Sequence, residues 1–287
     1  MSTAYNVWRF AGLLPLVPLH SGQKLYVLVD GAQIDDYRKN FRAIPGVNDQ
    51  SSLAGPDLTP DRENVTQHLL HLKDLDALRD VLARVKRSSV SHGAMSVMVS
   101  SLATEDLAAA LYRRMDVTLP DQFDCINRFF DGRVAPHWLS VLTPEQRTRF
   151  TAFASQWWVV SHEHIWSSLA CSEIQPDPFS EQMVISERQQ ADMIDACYPY
   201  TIIDHFEQTD PELLERVPPA AQYGWFQRAL AVARRYGIDD GPDSMLFCTL
   251  TLTRGERFFD APSWREGLQQ LQLRQTRLRD LMKAIHD

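Results

Sequence analysis

Glycine is scarce in this chain, with 12 in 287 residues, and the 12 are scattered. No Gly-rich phosphate loop and no G-x-S-x-G elbow occurs, which removes the two commonest backbone devices for phosphate binding and serine hydrolysis. Four cysteines, Cys125, Cys171, Cys197 and Cys248, lie far apart and form no C-x-x-C pair. Their spacing argues against a zinc site and against a disulfide scaffold, and predicts buried thiols in a reducing cytoplasm. Long apolar runs are missing too. Phe10 to Leu19 is interrupted by Pro15 and Pro18 and lacks a small-residue cleavage site. It is too short to span a bilayer and has no signal-peptide anatomy, so residues 1–23 read as an extended arm.

The rest is ordinary for a globule. Hydrophobic residues make up 44% and charged residues 23%, and a chain of this length buries roughly 75% of its unfolded surface without staples. The net charge of −8 is unevenly placed: residues 1–160 are neutral, so the whole acidic excess lies in residues 161–287. That balance disfavours nucleic acid and anionic membranes as partners and permits a basic protein partner.

Leu25 to Val29 reads as a buried strand ended by Asp30-Gly31, and Ile34, Tyr37, Phe41 and Ile44 then recur at helical spacing. Leu69 to Leu82 reads as a helical or partly helical passage, Ala94 to Val99 as a second strand, and Cys125 to Phe130 as a third. Thr104 is expected to cap the helix that carries Leu107, Leu111 and Met115. Thr143-Pro144-Glu145-Gln146 predicts a capping box, as do Ser186 and Gln189. Alternating strands and helices predict an α/β N-terminal lobe with a small, mainly parallel sheet. Residues 171–184, with Pro176 and Pro178, read as a linker. Beyond them the pattern is helical. Pro199 is expected to break or kink one helix, Gly237 to cap another, and Trp264 to Ile285 to form a single final helix. The expected organisation is an arm over 1–23, an α/β domain over 24–170, a linker over 171–184 and an all-α domain over 185–287.

Candidate chemistry is sparse. His68 and His71 would share a helix face, and His162 and His164 one face of a strand. Two ligands are too few for zinc and no third is marked by spacing, so no metal site is expected. Asp30 and Asp131 each close an apolar strand, where open α/β sheets bind ligands. Paired carboxylates there could do acid–base work, giving a hydrolase-like alternative. The turn chemistry accounts for both acids as well, each capping the helix that comes after it.

The stretches Tyr26 to Gln33 (YVLVDGAQ), Ser52-Leu53, Phe129-Phe130-Asp131 with Arg133, Leu142 to Gln146 and Trp157-Trp158 occur in an order that resembles one family. It is the adaptor, or effector-chaperone, family of bacterial type VI secretion, catalogued as domain of unknown function 4123. The resemblance covers about residues 24–160 and continues loosely through Arg234 to Ile238 and the Trp264-to-Asp287 helix. Gly132 is a departure, since Pro is more usual there. The resemblance implies a non-enzymatic cytoplasmic adaptor without metal or cofactor. It would bind a cognate secreted effector and load it onto the valine-glycine-repeat spike protein, with neither nucleic acid nor membrane as partner. It carries over Asp30, Gly31, Asp131, Arg133, Trp157 and Trp158 as family positions, structural or at an interface. A third reading is an immunity-like protein that neutralises a toxin without delivering it.

Overall fold

The first strand shows the two-residue period of a sheet with a core on each side. In β1 (Lys24–Asp30), Leu25, Val27 and Val29 enter one apolar cluster while Tyr26 and Leu28 enter another on the opposite face. This computed structural model describes residues 20–41, 43–55, 59–88, 92–160, 165–273 and 276–286. The arm expected over residues 1–23 therefore lies outside the described residues except for 20–23.

After β1 come a 3-10 turn (Gly31–Gln33), α1 (Tyr37–Phe41), β2 (Val47–Ser52), α2 (Pro60–Glu63), β3 (Gln67–Leu72), α3 (Leu75–Ser88) and β4 (Met95–Ser100). Next are α4 (Thr104–Arg113), β5 (Asp116–Thr118), β6 (Asp124–Ile126), α5 (Ala135–Val141), α6 (Pro144–Phe150), β7 (Gln156–Val160), β8 (Trp166–Leu169) and β9 (Met183–Val184). Six strands form one sheet in the order β2-β3-β1-β4-β7-β8, and β6-β5-β9 form a smaller one. Helices α1 and α3 cover one face of the large sheet through Tyr37, Phe41, Leu78 and Val81. Helices α4, α5 and α6 cover the other through Leu107, Leu111, Trp138 and Phe150.

The parallel sheet expected from the sequence is wrong. Every pairing in the large sheet is antiparallel, and only β5 with β9 is parallel. Strand–helix alternation does signal a crossover between strands of one direction, and β3–α3–β4 is such a crossover. Strand β1, however, lies between β3 and β4 and runs antiparallel to both. Strand order is a long-range property that local periodicity does not carry.

Other expectations fail for local reasons. Leu69 to Leu82 divides into β3 and α3, with the Asp74 carboxylate accepting from the Ala77 N–H to start the helix. Thr104 is the first residue of α4 rather than its cap; Ala103 holds that position and makes no side-chain cap bond. The strand expected through Phe130 stops at Ile126. A turn closed by the Asp131 N–H on the Arg128 carbonyl then puts Phe129 and Phe130 into the core. Thr143 and Gln146 do form a reciprocal capping box at α6.

The described chain divides into two compact units, one ending at Ala196 and the other beginning at Cys197. Residues 171–184 lie in the first unit, where Phe179 and Met183 are buried and β9 pairs with β5. Ser186 and Gln189 exchange backbone and side-chain bonds at the start of α7 (Glu187–Thr209), which continues through Pro199. The second unit is helical, with α8 (Pro211–Leu214), α9 (Pro219–Arg235), α10 (Gly241–Arg254), α11 (Pro262–Gln272) and α12 (Leu278–His286). The stripe from Trp264 is thus two helices, not one. Leu278 and Leu281 fold back into the cluster that holds Trp264 and Leu268, which buries both halves of the stripe. Among the described residues no helix is long and apolar enough to cross a membrane.

Candidate functional site

Asp30 closes β1, and its buried carboxylate is enclosed by donors. Oδ1 accepts from the Ala32 N–H at 3.3 Å and Gln67 Nε2 at 3.0 Å. Oδ2 accepts from Gln33 Nε2 at 2.8 Å and Arg128 Nη2 at 3.1 Å. Asp131 is equally enclosed. Its Oδ1 accepts from the Arg133 backbone N–H at 2.9 Å and from Arg133 Nε at 3.1 Å, and its Oδ2 from Arg133 Nη2 at 2.9 Å and Gln33 Nε2 at 3.3 Å. Arg128 Nη2 also stands 3.8 Å from that oxygen. One glutamine amide thus bridges two acids, and two guanidiniums balance their charge. Such fully paired, hydrogen-bonded acids are what a buried position tolerates.

The backbone at this junction has no room for side chains. A Cβ on Gly31 would lie 2.5 Å from the Thr66 carbonyl oxygen, and one on Gly93 would lie 2.3 Å from Asp131 Oδ1. Gly31 was legible from the sequence as a turn residue. Gly93 and Gln67 were not, because their partners come from distant segments, and nor were Gln33 and Arg128, each of which joins an acid three residues away to one from a distant segment. Asp30, Gly31, Asp131 and Arg133 therefore meet at one knot that ties the end of β1 to the turn before α5.

Residues 25–149 match the family model described as Domain of unknown function (DUF4123). Searches of curated proteins and of solved structures returned no match. The matched segment runs from β1 to the last turn of α6 and contains both acids of the knot. Trp157 and Trp158 lie just beyond it in β7. Both are buried: Trp157 packs edge-on against Phe129 and Phe153 on one face of the sheet, and Trp158 enters the cluster on the other.

The histidine pairs resolve differently from expectation. His68 and His71 both sit in β3, so a spacing of three puts them on opposite faces rather than on one helix face. The His68 ring stacks on Tyr37 at 3.9 Å and its Nε2 lies 2.7 Å from the Glu63 carbonyl oxygen. That acceptor fixes Nε2 as the protonated nitrogen. Burial pushes the His68 pKa below the ordinary value, against the raising effect of Glu63 and Asp30. Burial and Lys24 do the same to His71. His162 and His164 lie outside the described residues. Among the described residues no group of three or more His, Cys, Asp or Glu side chains is placed to hold a metal ion.

Among the described residues, one open feature of this unit is a groove of about 320 Å³ against the small sheet. Its walls include Val117, Leu119, Ile126, Trp138, Ile185 and Met193. Exposed apolar side chains border it. Ile126 is 64% exposed and Ile194 on α7 is 59%; Phe123, three residues before Ile126 in the chain, is 71% exposed. Single exposed hydrophobics are normal, but a cluster of them around a concave surface marks an interaction site. Sequence pattern alone conceals it, because Ile126 reads as part of the strand expected over Cys125 to Phe130. The available signal was Asp121 and Asp124 flanking Phe123, a polar setting unlike a core strand.

Proposed function

We propose that this chain is a non-enzymatic adaptor of bacterial type VI secretion, which binds a cognate effector in the cytoplasm and loads it onto the valine-glycine-repeat spike protein. The apolar groove on the small sheet is the observation that carries this reading. It offers a contact surface beside the DUF4123 segment's own core, with large side chains already exposed, as protein interfaces require. The strand-end acids support the same reading. Asp30 and Asp131 spend their oxygens on Gln33, Gln67, Arg128 and Arg133, the arrangement of a structural knot rather than of an acid–base pair awaiting substrate.

The test is co-expression of the tagged chain with a candidate effector and, separately, with a spike protein. The expected result is that the effector co-purifies at moderate salt. Failure of both proteins to co-purify at every salt concentration tried would overturn the adaptor reading.

A further inference from the structure

We propose that the groove takes an extended segment of the partner, apolar at alternate positions and flanked by Lys or Arg, which adds as a strand along the free edge of β6. The identity of the partner rests on the adaptor reading; the chemistry of the groove does not. Among the described residues, strand β6 ends the small sheet, with β5 on one side only. The Asn127 N–H bonds to the Met115 carbonyl at 2.6 Å, and the Leu119 N–H to the Phe123 carbonyl at 2.8 Å. Antiparallel bonding alternates along a strand. Residues 123, 125 and 127 therefore face β5, and Asp124 and Ile126 direct their N–H and C=O groups away from it. An added strand pairs with such groups, and alternate side chains then enter the adjoining pocket.

The floor asks for an acceptor. Among the described residues, Asn127 Nδ2 and Trp138 Nε1 are buried donors without a hydrogen-bond partner, and both residues line the groove. A buried donor left unpaired is costly, and an extended segment presents a carbonyl at every residue. The strands and turn beside the groove supply the charge. Asp116, Asp121 and Asp124 are exposed and form no ion pair among the described residues. Asp116 stands opposite Ile126 in the ladder, and the charges of Asp124 and Asp121 act, after burial, to raise the thiol pKa of Cys125 on the groove wall. Arg128 lines one end of the groove and is about half exposed, but its guanidinium already faces Asp30 and Asp131. Acidic residues on the strands beside an apolar floor fit a basic, alternating segment and repel an acidic one.

The experiment is selection of a random ten-residue display library on the intact protein, followed by synthesis of the enriched peptides. The expected peptides alternate apolar residues, carry Lys or Arg at their flanks, weaken in high salt and shield Cys125 from a maleimide. Ile126→Asp should lower their affinity about tenfold or more. Ile126→Pro removes the outward N–H while leaving the bonds to β5 intact, and should lower affinity too; retained circular dichroism and melting behaviour establish that both variants fold. Enrichment of acidic or non-alternating peptides, no enrichment, or unchanged binding by both variants would overturn the proposal. So would a dimer abolished by Ile126→Asp, which would make a second copy the occupant. Effector capture that survives Ile126→Asp defeats the groove proposal alone. Peptide binding without any effector capture defeats the adaptor reading alone.

Discussion

Asp177 offers the sharpest test of how the first unit is held together. Arg114 is fully buried, yet each of its five N–H donors is used. Nε donates to the Phe150 carbonyl at 2.6 Å, Nη1 to the Ala110 carbonyl at 2.7 Å and Asp177 Oδ2 at 2.9 Å, and Nη2 to the Arg149 carbonyl at 3.1 Å and Asp177 Oδ1 at 2.7 Å. The guanidinium also lies over the Phe179 and Phe153 rings, 4.5 and 5.1 Å from their centroids. Asp177→Ala would leave that charge buried without its counter-ion, a change worth about 3–5 kcal/mol. At about 2–4 °C per kcal/mol for a unit of this size, the melting temperature should fall by roughly 6–20 °C. Arg113 provides the control. It reaches the same carboxylate at 3.1 Å but is about half exposed, so Arg113→Ala should cost under about 1 kcal/mol. Burial alone would raise the Asp177 carboxyl pKa, but the bonds from Arg114 and the Phe179 N–H, with the nearby Arg charges, hold it below the ordinary value. A depressed folded pKa contributes stability above the unfolded value, about 3.9, and that stability is lost as the pH falls through the folded one. The wild type should therefore lose its advantage over Asp177→Ala only below about pH 4. The assay is thermal denaturation of all three proteins at pH 7 and across the acid range. Equal shifts for the two variants, or a shift below about 2 °C for Asp177→Ala, would refute the reasoning.

Arg133→Ala should destabilise by about 1–3 kcal/mol, because the side chain is partly exposed and Arg128 remains near Asp131. Effector capture below the melting temperature should stay unchanged, and a variant that melts normally but no longer binds would make Arg133 a direct contact. His68 has a lowered folded pKa, so its contribution is present above about pH 6.5 and lost as the pH falls below it. His68→Gln should shrink the drop in melting temperature between pH 7 and pH 5.5, and an undiminished drop would contradict this. A Cβ on Gly267 would lie 1.9 Å from Leu281 Cδ1, so Gly267→Ala should cost about 1–3 kcal/mol by overpacking α11 against α12. An unchanged melting curve would show that Leu281 moves aside freely.

The parts of the fold legible in the sequence are those fixed within a few residues. β1 and β4 are short apolar runs, and the boxes at Thr143 and Ser186 need only a partner three residues on. Asp30 was legible as a turn acid for the same reason. What failed was long-range. Nothing near β1 records that β3 and β4 flank it, so strand–helix alternation was taken for a parallel sheet. Residues 171–184 read as a linker because they have no period, while the Asp177 partner, Arg114, sits on a distant helix end. The stripe after Trp264 kept helical spacing across its break, and the packing of Leu278 and Leu281 back onto Trp264 and Leu268 is what distinguishes two helices from one. The knot was half legible: its acids and Arg133 follow from turn chemistry, whereas Gln33, Gln67, Arg128 and Gly93 enter through tertiary approach. The groove was hidden because exposed apolar residues and core residues look alike in one dimension.

The most direct test of the adaptor account is a three-component capture: tagged spike protein, the cognate effector and this chain, co-expressed in all combinations. The account predicts that the effector is retained on the spike only when this chain is present. Retention of the effector to the same extent without the chain would contradict it.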